Sequence, residues 1–321
     1  MAYYAGIDVG GTKILTVITE DLKIIGKHKI KTKNGKSLIE SISYCYQEAL
    51  STAKIDQKDI SAVGIGMPSS INQETRKLLS APNLGIADIN IYDLLMPVFN
   101  KPLFIDNDVN MGIYGEYCCS DIKQFKSIYG IFLGTGVGGG YIANGTVVRG
   151  HGFTAGEIGH IIVNIDGRKC NCGNRGCLET IAGKNGIIQY IKKSKDKPVF
   201  LNKINPDWKK TLGYKDLYKA YIKGDIAVIM AVNNMAKAVG VTCANIINMI
   251  GADAIIIGGG AIDYFGSIII DRIKRTAIKS AIGSGGDNVL IKPASLGENS
   301  VTLGCVSFVS DKNNKKFLVS P

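Results

Sequence analysis

The chain uses one phrase twice. AYYAGIDV runs into Gly10-Gly11-Thr12-Lys13 and then KILTVITE; later SIYGIFL runs into Gly134-Thr135-Gly136 and then VGGGYIA, with a hairpin at Asn144-Gly145. Each copy reads as strand, tight turn, strand, because short runs of Ile, Val, Thr and aromatic residues bounded by Gly favour paired strands. After the first copy a turn at Glu20 to Leu22 leads into KIIGKHKIK, a third strand, so the chain should begin as an antiparallel meander. A grammar used twice implies two similarly folded lobes, each offering a phosphate loop. Glycine at such a bend lets backbone N–H groups approach a phosphate, while Thr12 adds a hydroxyl and Asp8 a carboxylate facing a Mg²⁺. Gly-Gly between strands is also an ordinary hairpin, and one copy alone carries only that plainer reading.

At 321 residues the chain suits two domains, on a prior of about 100 to 200 residues each. The expected division is an N-terminal lobe over 1–118 and a C-terminal lobe over 119–321, whose final helix, near 298–309, packs back toward the first. The formal charge of +11 suits an anionic ligand, but the lysines are spread along the chain and form no basic block. Charge therefore does not specify nucleic acid, and no nucleic-acid partner is expected. Residues 1–10 lack the regions of a signal peptide, and no apolar run reaches about 18 residues. A cytoplasmic protein that makes no membrane contact is the expectation.

EIGHIIVNIDGRKCNCGNRGCLE, residues 157–179, sets His160 ahead of Cys170, Cys172 and Cys177 and brackets the four with Glu157 and Glu179. One imidazole and three thiolates complete a tetrahedral Zn²⁺ set with no position open for water, the pattern of a structural metal. Metal-binding free energy there becomes folding free energy for a loop that no apolar core could hold. The glutamates are then what the loop is held for. The plainer alternatives are a knuckle that only staples a surface loop, or core cysteines near an unrelated histidine; cysteines this dense among glycines and charged residues argue against a core. Cys45, Cys118, Cys119, Cys243 and Cys305 lie in apolar or helical settings without regular spacing. That usage fits buried thiols and not a disulfide framework.

Elsewhere, Leu38 to Ala53 carries apolar residues at helical spacing, and AVGIGMP is a buried strand ending at Gly66 and Pro68. RKLLSAPNL reads as a strand entering a loop at Pro82 and Asn83, followed by a helical run from Ile89 to Phe99. PLFIDND is a strand whose carboxyl end delivers Asp106, Asn107 and Asp108 before a helix through Tyr117. Ligands bind at the carboxyl ends of strands in open α/β sheets, although Asp108 could equally be the N-cap of that helix. Leu178 to Ile191 and Asp216 to Ile250 have helical patterns, and the lysine-rich KKSKDKPVFLNKINPDWKK between them reads as an exposed connection. ADAIIIGGGA is a strand emptying into Gly258, Gly259 and Gly260, which either lie flat against an adenosine or permit a close strand-to-helix turn. The tail DKNNKKFLVSP is expected to be loose.

Asp8-Val-Gly-Gly-Thr-Lys13, Leu133-Gly-Thr-Gly136, Glu157-Ile-Gly-His160 and the Cys-x-Cys-Gly-x-x-Gly-Cys-x-Glu run of 170–179, in that order, make the chain similar to the ROK-family sugar kinases over nearly its whole length. The resemblance implies an α/β fold of two ribonuclease-H-like lobes, of the actin-like ATPase and hexokinase type, around an ATP and sugar cleft. It implies Asp108 as the general base toward the sugar hydroxyl, with Asn107 bonding the sugar, Glu157, His160 and Glu179 bonding ring hydroxyls, and Gly66 and Asn83 lining the sugar pocket. It further implies Mg²⁺ held through water by Asp8, phosphates held at Gly10, Gly11, Thr12 and Lys13 and at Gly134, Thr135, Gly136 and Gly138, adenosine at Gly258 to Gly260, a structural Zn²⁺ and a homodimer. Family members that repress transcription carry an added N-terminal helix-turn-helix; here the first strand is read within a few residues of Met1, so none is expected. Two departures bear on the sugar: Pro68 is followed by Ser69 where many members have glycine, and Asn83-Leu84 is followed by Gly-Ile-Ala-Asp where many have an aromatic. LLSAPNL, the IYDLL from Ile91 and GHGFTAGEIGH with its His151 resemble the allose kinase branch. The resemblance thus points to D-allose, with glucose, fructose, mannose and N-acetylmannosamine as the alternatives and a silent sugar-sensing regulator as the alternative class.

Overall fold

The structure is a computed structural model that describes every residue except Met1, Lys33, Asn34, Pro82, Asn83 and Ser284. The chain folds as two units, one of Met1–Gln124, Gly145–Ala155 and Glu298–Pro321, the other of Phe125–Asn144 and Gly156–Gly297.

In the first unit Tyr3–Val9, Lys13–Glu20 and Lys23–Lys31 form the antiparallel meander read from the sequence. Ile60–Met67 then joins the free side of Tyr3–Val9 in parallel, and Leu103–Asn107 joins Ile60–Met67 in parallel. Parallel strands are covered on both faces, so Ala5, Ile7, Val9, Val63 and Ile65 are all fully buried. One face receives the helix Leu38–Ala53, started by a capping box between Ser37 and Glu40 and presenting Ile42, Cys45, Tyr46 and Ala49. The alternate face carries glycine where the other carries Ile, and there the helix Ser300–Ser310 lies almost backbone to backbone on the sheet. A methyl at Gly6 would strike the Thr302 carbonyl, and one at Gly64 would sit 2.7 Å from the Cys305 carbonyl oxygen. The same helix meets Asp108–Cys119 through Gly304 and Gly115, where a Cβ would overlap the Met111 and Ser300 carbonyls. Backbone cannot step aside as a side chain can. Gly304→Ala is therefore expected to cost about 3 kcal/mol or more in urea unfolding, whereas the same change at Gly224, which has open space around it, should cost only the strain of its positive φ.

The second unit repeats the order. Ser127–Leu133 pairs antiparallel with Val137–Ala143 on one side and parallel with Ala254–Gly258 on the other, and Leu290–Pro293 extends the parallel side. Its core is completed by Ile226–Ile250 and Gly260–Ser280, which contribute Val228, Met235, Val239, Phe265 and Ile273. Ile226–Ile250 is long and apolar enough to cross a membrane by length and composition. Asn233, Asn234, Lys237, Thr242 and Asn245 interrupt it, and its apolar side belongs to this unit's core.

Five readings of the sequence are corrected. The lysine-rich segment is not a connection but two short helices, Val199–Ile204 and Trp208–Thr211, with Leu201 and Trp208 buried. Leu201 and Ile204 fall at helical spacing within the first of these helices, a signal the surrounding lysines hide. The helical pattern from Asp216 breaks at Gly224 into Tyr214–Ile222 and Ile226–Ile250, and the pattern from Leu178 breaks at Gly183 into Glu179–Ala182 and Lys184–Lys193. The region read as one strand and a helix from Ile89 is a three-stranded sheet of Ser70–Asn72, Lys77–Ala81 and Ile86–Asn90, with the helix starting at Ile91. The tail is tied down, since Val319 and Leu103 exchange backbone hydrogen bonds of 2.8 and 2.9 Å at the edge of the first sheet.

Candidate functional site

In the first unit the candidates collect at the carboxyl ends of adjacent parallel strands. Asp8 is the register partner of Gly66, and Gly66 of Asp106. Asp8 lies beside the tight hairpin in which Gly10 N–H donates to the Lys13 carbonyl at 2.9 Å, leaving Gly11 and Thr12 at the tip. A Cβ on Gly66 would stand 2.5 Å from Val301 Cγ1 and 3.2 Å from Asp108 Cα, so this glycine lets the strand end touch the start of the next helix. That helix, Asp108–Cys119, is capped by Asn107, whose Oδ1 accepts from Val109 N–H at 2.9 Å and Asn110 N–H at 3.1 Å. Capping thus falls to Asn107 and not to Asp108, while Asn107 Nδ2 donates to the Ser69 carbonyl at 3.4 Å. Asn83, read as a pocket residue, lies outside the described residues.

Burial pushes the Asp8 carboxyl up to about 6; Lys13 opposes the rise and Glu298 adds to it. Glu298 itself is held down to about 2 by hydrogen bonds from Lys27 and Lys29, at 2.7 and 2.8 Å, and lies 3.9 Å from Lys13. A carboxylate whose pKa is raised on folding stabilises the fold least when ionised. Its penalty is absent below about pH 4 and complete once pH has risen past about 6, an order of ~3 kcal/mol at neutral pH. Asp8→Asn is accordingly expected to unfold at higher urea than the parent at pH 7.5, with the two midpoints converging by about pH 4. Equal midpoints at both pH values would show that the buried carboxylate carries no such cost.

In the second unit the turn at Gly134–Gly136 is closed by a 3.0 Å bond from Gly134 N–H to the Gly136 carbonyl, with Thr135 exposed at its tip and Gly138 in the following strand. Glu179 leans on this turn, its Oε2 accepting from Val137 N–H at 2.9 Å and occupying the space a side chain at Gly136 would need. Sequence reading missed that contact, and also Tyr214, whose hydroxyl donates to the Gly134 carbonyl at 2.8 Å. The glycines after Ala254–Gly258 serve close packing: Gly259 has φ +88 and a Cβ there would press on Leu133, while Gly258 faces the Phe132 ring. Gly260 opens the next helix beside Tyr214.

His160 and the three cysteines converge, their ligand atoms all within 4.8 Å of one another. Cys170 Sγ lies 3.7 Å from His160 Nδ1, and Cys172 Sγ lies 3.6 Å from Cys177 Sγ. A zinc tetrahedron with bonds of about 2.0 to 2.3 Å has edges of roughly 3.5 to 3.8 Å, so the donor set fits Zn²⁺ in both chemistry and spacing. The hairpin carrying it is shaped by Cys170 N–H to the Asn174 carbonyl at 2.7 Å and by Gly173 and Gly176 at φ +99 and +74. Since Nδ1 faces the metal position, Nε2 is left for a second partner. Glu157 is exposed at its residue level, yet desolvation by nearby protein raises its carboxyl; His160 lowers it and Glu179 raises it further.

Two mixed sheets of shared order, each with a glycine hairpin on its first strand, define a hexokinase-like α/β protein. The chain belongs to the ROK family, whose model matches residues 4–312. A glucokinase of Halalkalibacterium halodurans is 32% identical over 321 aligned residues, spanning 97% of this chain and 96% of that protein. A xylose repressor of Bacillus subtilis is 28% identical, over 96% of this chain and 77% of its own length. Among solved structures, a ROK family glucokinase from Streptomyces griseus, in complex with glucose and AMPPNP, aligns with a TM-score of 0.84 at 26% identity, covering 95% of this chain and 98% of that one.

Proposed function

We propose that this protein is an ATP-dependent hexose kinase, transferring the γ-phosphoryl group of ATP to the 6-hydroxyl of an aldohexose, with D-allose as the first substrate and D-glucose as its main competitor. The observation that carries the reading is the line of Asp8, Gly66 and Asp106 across three adjacent parallel strand ends, with Asp108 two residues further on. In open α/β sheets this is where ligands sit. Asp108 takes the proton from the sugar hydroxyl as its oxygen attacks the γ-phosphorus, and the bond to the β-phosphate oxygen breaks to release ADP. Asn107, Glu157, His160 and Glu179 bond the sugar, and Gly66 lines its pocket. Gly10 to Lys13 and Gly134, Thr135, Gly136 and Gly138 receive phosphates, and Gly258 to Gly260 receive adenosine. Bound Mg²⁺, for which Asp8 is the residue, supplies charge neutralisation of the phosphates. The reading includes a homodimer in the cytoplasm, where ATP is.

Support for allose rests on the residues around Leu78, Ile91 and His151; support for glucose rests on relatives with that activity in their names. A second reading, a sugar sensor without turnover, has support from the xylose repressors that match 95% or more of the chain. A coupled ADP-release assay over a hexose panel separates them. Turnover with kcat/KM highest for allose bears out the whole proposal, turnover highest for another hexose retains the kinase and discards allose, and sugar binding with no ADP from any hexose favours the sensor.

A further inference from the structure

We infer that Arg149 is a positioning residue for this phosphoryl transfer: through Asp106 it sets the Asn107–Asp108 backbone, and through its own carbonyl it anchors the 150–155 loop. The inference rests on the kinase reading. Asp106 is buried at 2% exposure near the end of Leu103–Asn107, and its Oδ2 accepts from Arg149 Nε at 2.9 Å and Nη2 at 2.6 Å. Its Oδ1 accepts from the N–H of Asn107 at 2.8 Å, which fixes the peptide that leads into Asp108. Nη1 of the same guanidinium donates to the Val147 carbonyl at 3.3 Å, and the rings of Phe104 and Phe308 stand 5.8 and 5.6 Å from its carbon.

Stability alone gives little reason for such a pair, because desolvating both charges offsets much of their attraction and apolar residues of similar volume serve as well. What apolar residues lack is direction. Two donors of one rigid plane converge on Asp106 Oδ2 while the third is fixed on the Val147 carbonyl, an arrangement that sets the direction of the carboxylate and that the point charge of a lysine cannot reproduce. On its other side the Arg149 carbonyl accepts from Ala155 N–H at 3.0 Å, closing a loop that turns at Gly150 and Phe153, with φ of +69 and +57. Arg149 thus meets the peptide that leads into Asp108 through its side chain, by way of Asp106, and closes the 150–155 loop through its own carbonyl.

The test uses the full chain carrying Arg149→Lys, and the paired change Asp106→Asn with Arg149→Met, which leaves no buried charge unpartnered and keeps an acceptor for Asn107 N–H. Misplacing a reacting group by about 1 Å costs roughly 100-fold, so Arg149→Lys should lose about that much kcat while KM for ATP and hexose moves by less than about threefold. The paired variant should melt close to the parent and still turn over slowly. A kcat that recovers along with melting temperature in the paired variant, or a loss confined to KM, overturns the inference. Should the parent release no ADP with any hexose, the kinase reading is what fails, and hydrogen exchange decides the pair. Amides of Asn107, Val109 and Asn110 exchanging ~10-fold faster in Arg149→Lys support positioning, and unchanged rates refute it.

Discussion

Asp108→Asn is expected to lower kcat by ~10²- to 10⁴-fold while hexose binding stays within about threefold. The change is well suited to separating chemistry from folding. Asp108 Oδ1 accepts from Val109 N–H at 2.9 Å, and an asparagine oxygen can do the same; the cap of the helix is Asn107, which is untouched. What the amide cannot do is take a proton at neutral pH. Phosphoryl transfer is mostly alignment and charge stabilisation, so some turnover should persist and the residual rate should lose its dependence on a carboxylate. Single-turnover measurement with the preferred hexose, alongside calorimetric sugar binding, checks both halves. Full turnover in Asp108→Asn would remove it from the role of base.

The second large effect concerns the metal. Cys172→Ser, or exposure of the parent to a strong chelator, should abolish stoichiometric zinc and open the 161–178 loop to protease, while both mixed sheets go on melting cooperatively. The hairpin holding the set has few apolar residues to stabilise it: Asn171, Cys172, Gly173, Asn174 and Arg175 are all exposed. Without the metal, His160 loses the bond that fixes its ring, and kcat/KM for the hexose should fall by roughly 100-fold. Metal analysis and limited proteolysis report on the site whether or not turnover is measured. Retention of an intact loop in the metal-free protein would show that the four side chains staple nothing.

Both glycine hairpins were legible in the sequence because each is local: strands of alternating or continuous apolar residues flank Gly-Thr turns at a distance of a few residues, whereas the short strand Leu290–Pro293, which joins the second sheet from far along the chain, was not read. The Leu38–Ala53 helix was legible because its apolar residues recur at helical spacing. His160 with Cys170, Cys172 and Cys177 was legible as a ligand set because the residue types themselves carry the chemistry. The Asp106–Arg149 pair was not. Its partners stand 43 residues apart, and no periodicity announces which arginine will meet which carboxylate. The Glu179 contact with Val137 N–H escaped for a related reason, since a backbone donor has no letter in the sequence. Trp208 was hidden by composition, as the seven lysines of its segment made a packed helical pair look like a surface strap. The cap that the plainer reading put on Asp108 falls one residue earlier, on Asn107, because both types serve as caps and only the observed bonds distinguish them.

The seam of Gly6, Gly64, Gly115 and Gly304 has a consequence for how the polypeptide comes to be folded during synthesis. The first unit is begun by the earliest strands and finished by Ser300–Ser310, whereas every residue of the second unit has been made by Gly297. On the ribosome the unit that appears first in the sequence is therefore completed last, and until residue 310 emerges, a glycine-floored trough on its sheet stands open to other chains.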